Sequence, residues 1–391
     1  MFSSRTNWSL TPNRLSALIE ECRRQGLPLL DLTESNPTRC GFVFNVEEIL
    51  SALADPRLLS YEPDPRGLLA ARLAVVSYYA ERGVKVSADQ VFLTTSTSEA
   101  YSYIFRLLAN PGDNVLVPQP SYPLFDFLAG LNDLKIIPYP LVYDHGWQMD
   151  LRVLEARVGP RTRAILMVHP NNPTGSFVRQ TELEFLVQCS RQHGLALICD
   201  EVFADYAFLP DERRVMTHAC VSGALTFTLS GLSKISALPQ MKLAWVVVNG
   251  PAGELQEALA RLEVIADTYL SVSVPLAHAL PKWLESRRSL QPQILERVKS
   301  NLGWLDEQLT SDLPVSRLKT EGGWYAILKL PSIRSDEEWG LDLLIQDNLI
   351  VYPGHFFDFP SDGHVVVSLL PPLEVFEQGI RRLIHRTSQG N

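Results

Sequence analysis

Seven short apolar runs recur along the first two thirds of the chain: VFLTT (91–95), NVLVP (114–118), KIIPYP (135–140), RAILMVH (163–169), LALICD (195–200), LTFTLS (225–230) and LAWVVV (243–248). They are β-branched, continuous rather than alternating, and bounded by Gly, Pro, Asn or Asp. A strand that is apolar at nearly every position has no wet face, so these runs belong to a sheet covered on both sides. Helical patterns lie between them, with 67–82 and 98–109 the clearest. The alternation implies an α/β fold with a mostly parallel sheet flanked by helices. In such a sheet ligands bind at the carboxyl ends of the strands. The residues that follow each run are therefore where function is read.

No repeat or low-complexity linker is visible. A helical stretch from about 254 to 308, interrupted near Pro275 and Pro281, leads away from the sheet. WYAILKL (324–330), LIVYP (349–353) and HVVVSLL (364–370) follow, then a last helix over about 373–386. These pieces describe a smaller α+β C-terminal domain. With 391 residues the chain exceeds what one core usually supports. The expected division is an N-terminal segment (1–45) packed on the small domain, a large domain (46–280) and the small domain (281–391). The N-terminal segment reads as a short amphipathic helix. Thr11 is its cap, Pro12 its first residue and Gly26 its stop, and Leu15, Leu18, Ile19 and Cys22 share one face.

The formal net charge is −9, and no long basic run is present. Nucleic acid and anionic membrane are therefore poor partners. No apolar run approaches the roughly 18 residues that span a bilayer. The five cysteines form no CxxC pair and are odd in number, which suggests neither a disulfide framework nor a zinc site. The first residues show no signal-peptide core, and the expected location is the cytoplasm.

Five segments at or beyond strand ends carry chemistry. Lys234 comes after LTFTLS through the turn GLS, with the hydroxyls of Thr228, Ser230 and Ser233 nearby as anion donors. Taken alone it is a loop lysine. Asp200 ends LALICD, desolvated on one side and in need of a partner. A protonated ring nitrogen suits it, and a ring kept protonated becomes an electron sink. The alternative is a helix N-cap, because the helical pattern EVFADYAF follows. Asn172, in HPNNPTG (169–175), is held extended by Pro173 and projects its amide; a plain turn fits as well. TTSTSEA (94–100) offers Thr97 and Ser98 N–H groups at a helix N-terminus, an anion site, or simply a capping box led by Ser96 or Thr97 with Glu99. Tyr122, in PSYPLF (120–125), is either a ring that stacks on a planar ligand or a core aromatic.

The ordered set SxSEA, PSYP, HPNNPTG, DEVFADY, SGLSK and PGHFF resembles the fold-type I class I/II aminotransferases, from about residue 31 to the C-terminus. The resemblance implies pyridoxal 5′-phosphate as cofactor. It makes Lys234 the Schiff-base lysine that also shuttles a proton, Asp200 the partner of the pyridine nitrogen and Asn172 the partner of the ring oxygen. It makes Tyr122 the stacking ring, and Ser96, Thr97 and Ser98 the phosphate loop, with Ser230 added. Tyr61, in SYEPDPRG, is similar to the tyrosine that reaches the neighbouring subunit's phosphate, which implies a homodimer.

Four positions depart from the family. Phe203 stands where a tyrosine is usual, and Lys242 where an arginine grips phosphate. Val366 replaces the arginine that holds the substrate carboxylate, and Ser35 replaces a glycine before the N-terminal Asn-Pro. Arg39 is the first candidate for a substitute cation. The expected activity is ping-pong exchange of an amino group between an amino donor and a keto acid. Two rivals remain: a β-lyase or other enzyme of the same cofactor chemistry, and a cofactor-binding sensor without turnover. A sensor needs a DNA-binding module, for which the first 30 residues are too short.

Overall fold

The apolar runs become strands whose neighbouring residues enter different cores. In the computed structural model, which describes residues 1–389, an eight-stranded sheet is built from β1 (Val91–Thr94), β2 (Asn114–Gln119), β3 (Lys135–Tyr143), β4 (Trp147–Met149), β5 (Thr162–Val168), β6 (Ala196–Asp200), β7 (Thr226–Gly231) and β8 (Ala244–Asn249). Its order is β1-β8-β7-β6-β5-β2-β3-β4. Strands β7, β6, β5, β2 and β3 are parallel neighbours. Strand β8 runs against both β1 and β7, and β4 folds back on β3.

Along β1 and β8, Leu93, Trp245 and Val247 pack into one core, while Phe92, Val246 and Val248 pack into another. All are buried, which is why the sequence shows no alternation of polar and apolar. Helices α2 (Leu69–Ala80) and α6 (Val274–Gln308) cover the first face. Helices α3 (Thr97–Leu108) and α5 (Ala252–Thr268) cover the second. Helix α4 (Gln180–His193) lies between β5 and β6 and ends at Gly194.

The C-terminal third forms a four-stranded antiparallel sheet, β9 (Ser316–Arg317), β10 (Tyr325–Lys329), β11 (Tyr352–Pro353) and β12 (His364–Ser368), in the order β9-β10-β12-β11. Helices α7 (Asp336–Asp347) and α8 (Leu373–Gln389) accompany it. The N-terminal segment is tied to this unit. Leu30 and Asp31 pair in parallel with Leu349 and Ile350. Helix α1 (Arg14–Arg24) buries Leu15 and Cys22 in one cluster with Leu341, Leu344 and Ile350.

Three expectations need correction. The cap of α1 is Asn13, not Thr11, because its Oδ1 accepts the Ser16 N–H at 2.7 Å, and the helix begins two residues later than Pro12. EVFADYAF is not helical; Val202–Asp205 form turns. The 254–308 stretch breaks between Thr268 and Val274, where Leu270 adopts φ +68°. Pro275 lies in the first turn of α6, where its missing N–H would have had no partner. Pro281 and Pro292 lie inside the helix without ending it. Helix α6 therefore runs through residues 280 and 281 unbroken.

Gly175, at the end of HPNNPTG, fixes how the two units meet. Its φ is +69°, and a Cβ there would lie 1.9 Å from Thr320 Oγ1 and 2.4 Å from the Gly322 carbonyl oxygen. Left-handed backbone and backbone-to-backbone closeness both demand glycine. Gly175→Ala should lower unfolding stability by about 2–4 kcal/mol, combining strain with overpacking. Denaturant unfolding of the variant measures this, and a loss under about 0.5 kcal/mol would show that the two units can separate there freely.

Candidate active site

The carboxyl ends of the parallel strands open into one cavity of about 470 Å³, within the range of small-molecule sites. Ser96, Thr97 and Ser98 reach it after β1, Tyr122 after β2, Asn172 after β5, Asp200 at the end of β6, and Ser233 and Lys234 after β7. Because β8 runs the opposite way, its start brings Lys242 and Ala244 to the same edge. Ser35 and Phe203 also line the cavity.

Lys234 sits in a single helical turn, Leu232–Ile235. The Tyr206 hydroxyl donates to the Lys234 carbonyl oxygen at 2.6 Å and holds that turn. The Lys234 Nζ lies 5.2 Å from the centre of the Phe203 ring and 4.6 Å from that of Trp324. Burial disfavours the ammonium form and lowers its pKa to about 8, against the pull of Asp200. A lysine so depressed is an available nucleophile near neutral pH.

Asp200 is buried. Its Oδ1 accepts the Val202 N–H and its Oδ2 accepts the Tyr101 hydroxyl, each at 3.0 Å. No helix follows, so the carboxylate caps none. Burial raises its pKa to about 6, and the two donors and Lys234 oppose that rise. Behind it on the chain, Glu201 accepts bonds from Thr217 Oγ1 and the His218 N–H and faces His218 Nδ1 at 2.9 Å. These contacts hold Glu201 below the ordinary carboxylate range.

The anion end is a helix start. Ser96 caps α3 by accepting the Glu99 N–H at 3.1 Å, and Glu99 accepts the Thr95 N–H at 2.7 Å. The cap is therefore made, and it leaves the start of α3 able to take an anion. The Thr97 and Ser98 N–H groups belong to the first turn and have no intrahelical acceptor. Lys242 adds a cation in a left-handed conformation, φ +48°.

Four expected residues lie elsewhere. Ser230 is fully buried, and its hydroxyl donates to the Glu201 carbonyl oxygen at 3.4 Å, so Ser233 lines the cavity in its stead. Val366 is fully buried in β12, paired with Ile327 on one side and Tyr352 on the other, and does not line the cavity. Arg39 points to solvent, 3.9 Å from Glu34. Tyr61 is 73% exposed on a separate groove with Leu59 and Leu270, outside this chain's own cavity.

Several contributors carried no assigned role in the sequence. Tyr325, Tyr352, Phe356 and Phe357 line the cavity, and Trp324 lies behind Lys234. The two phenylalanines belong to the PGHFF motif, which was legible. Tyr101 follows SEA directly but sits three residues beyond Ser98, on a helix face where core packing is ordinary for a tyrosine.

A planar, anionic, basic-nitrogen cofactor fits these groups. The buried Asn172 carboxamide oxygen has no partner among the described residues, the helix start and Lys242 suit an anion, and the buried Asp200 suits a cation. The fold and this arrangement define the pyridoxal-phosphate enzymes of fold type I. The sequence matches the family "Aminotransferase class I and II" over residues 28–382, and the chain belongs to that family. It is 29% identical over 378 residues to the glutamate-pyruvate aminotransferase AlaA of Escherichia coli K12, covering 93% of this chain and 92% of that one. It is 29% identical over 373 residues to an alanine aminotransferase of Mycobacterium tuberculosis, covering 92% of this chain and 85% of the relative. The fold superposes on a crystal structure of an Escherichia coli aminotransferase with TM-score 0.86 at 27% identity, covering 99% of this chain and 98% of that one. It superposes on an alanine aminotransferase from Pyrococcus furiosus with TM-score 0.89 at 24% identity, covering 100% of both. The protein is a transaminase that depends on pyridoxal 5′-phosphate.

The lowered lysine pKa sets a pH dependence. Only the neutral amine attacks, so attachment of the cofactor to the apo-enzyme should accelerate about tenfold per pH unit up to about pH 8 and then level off. Stopped-flow absorbance reads this rate. A profile that keeps rising to pH 10 would mean an amine of ordinary basicity.

Proposed function

We propose that Lys234 carries the cofactor and moves the substrate's α-proton, with Asp200 holding the proton on the ring nitrogen and Asn172 bonding the ring oxygen. Tyr122 stacks on the ring. Ser96, Thr97, Ser98 and Lys242 bind the phosphate, joined by Ser233 rather than Ser230. Bound there, the cofactor supplies an electron sink for the bond being broken at the α-carbon. The observation that carries this reading is the meeting of a depressed lysine and a buried carboxylate in one cavity, beside an open helix start.

The working unit is a homodimer in this reading. Its support is the exposed apolar surface around Tyr61, which includes Leu59, Tyr269 and Leu270. Tyr61 would meet the partner's phosphate. The chain divides into 1–45, 46–280 and 281–391, with α6 crossing the last boundary. The location is the cytoplasm; among the described residues, no helix is long and apolar enough to cross a membrane.

Borohydride reduction of the loaded enzyme followed by peptide mass analysis should place the cofactor on Lys234, and Lys234→Ala should abolish the label and the activity. A label on any other lysine would refute the assignment.

The substrate is an amino donor paired with a keto acid, and its carboxylate is held weakly. No arginine lines the cavity among the described residues, and the substrate side is aromatic. A bidentate arginine fixes both charge and orientation. A single bond to an anion, such as Asn172 can give, is worth about 1.5–3 kcal/mol. The preferred donor therefore lacks an ordinary α-carboxylate at this position: an amine, a distal amino acid or an acid with a modified carboxyl. Glutamate, aspartate and phenylalanine should saturate about 10- to 100-fold less readily than such a donor, on the scale of one lost charge-assisted bond. A half-reaction screen by absorbance decides it. Sub-millimolar saturation by glutamate or aspartate, unchanged by Arg39→Ala, sinks the idea.

A further inference from the structure

Helix α3 contributes more than its N-terminus. Tyr101, one turn in, is 2% exposed, and its hydroxyl donates to Asp200 Oδ2 at 3.0 Å. Its ring is wedged against Phe105 and Phe125, with centroids 5.9 and 5.5 Å away. No other hydrogen bond to this hydroxyl is present among the described residues, and the surrounding apolar side chains offer it no second acceptor. Val202 N–H holds the other carboxylate oxygen. The carboxylate that faces the cavity is thus gripped at both oxygens, once from its own strand end and once from the helix that binds the anion.

We propose that Tyr101 is a positioning residue for amino-group exchange: its hydroxyl fixes the orientation of the Asp200 carboxylate towards the cavity and stabilises its ionised form. The inference rests on the proposed pairing of Asp200 with the ring nitrogen. Besides the Val202 N–H, five titratable groups bear on Asp200. Tyr101 from α3 and Lys234 after β7 favour the carboxylate, and Glu201, next in the chain, disfavours it. Tyr122 after β2 and Cys199 on β6 are neutral neighbours whose own ionisation Asp200 opposes. Removing the Tyr101 hydroxyl takes away one of the favourable partners and leaves the other four in place. Asp200 then holds its proton to higher pH, and less of its charge is available to the ring nitrogen.

Tyr101→Phe removes one oxygen and keeps the ring. The acid limb of kcat should move up by about one pH unit, with kcat down about tenfold at neutral pH and KM within about threefold. In enzyme loaded with cofactor labelled with ¹⁵N at the ring, the nitrogen resonance should move towards the unprotonated position. Asp200→Ala gives the reference for a lost partner. If Asp200→Ala leaves the resonance unmoved, the pairing itself fails. If Asp200→Ala moves it and Tyr101→Phe does not, Tyr101 only packs the core and this inference alone is overturned. A melting temperature lowered without any change in resonance or acid limb has the same meaning. Should Tyr101→Phe not fold, 3-fluorotyrosine introduced at position 101 is a stronger donor in the same space, and it should shift the acid limb downward; an unchanged limb counts against the proposal.

Discussion

A sheet covered on both faces leaves its strands no wet side, and the rest of the structure follows from that constraint. Leu93, Trp245 and Val247 fill one core while Phe92, Val246 and Val248 fill the other. Charged and polar side chains are then confined to strand ends, where backbone groups have also lost their ladder partners. Five strands end on one edge, and the single reversed strand, β8, begins there. Asp200, Asn172, Tyr122 and Lys242 meet because each lies at or within a few residues of a strand terminus on this one edge. The low dielectric that makes the sheet stable also shifts Lys234 and Asp200, the first down and the second up.

The second unit completes the site from the other side. Tyr325, Tyr352, Phe356 and Phe357 supply its aromatic wall, and Trp324 backs both Phe203 and the Lys234 amine. Gly175 allows the Asn172 loop to press against Thr320 and Gly322 without a side chain between them. The cavity is therefore enclosed by two units joined at close backbone contacts. Phe356 and Phe357 of that wall come from the PGHFF segment, and Val366 lies outside the cavity.

The strands and their order of appearance were legible because burial on both faces leaves an unambiguous apolar signature. The residues just beyond them were legible only in combination: Lys234, Asp200 and Asn172 each fit a loop, cap or turn alone, and the ordered set of motifs singles them out. Caps and breaks were less so: Thr11 and Asn13 are both good caps, and only the backbone path decides between them. Pro281 reads as a helix breaker, yet packing on α2 keeps α6 intact around it. Ser230 looked like an anion donor by position alone, whereas the strand continues through Gly231 and aims its hydroxyl at the Glu201 carbonyl. Tyr101 was invisible for a different reason. A tyrosine on a helix face that meets a sheet is ordinary core, and its one polar atom finds an acceptor 99 residues away, which no local pattern encodes.

Helix α6 has a mechanical consequence. Its 35 residues make a rod about 52 Å long. Val274 and Pro275, at one end, form part of the groove that holds Tyr61. Near the other end Asn301 Nδ2 donates to the carbonyl oxygens of Leu369 and Pro371, just past β12. Any rocking of the small sheet over its substrate is carried along this beam towards the outer surface beside Tyr61. The two internal prolines, each lacking one hydrogen bond of the helix ladder, are the joints at which the beam would yield first.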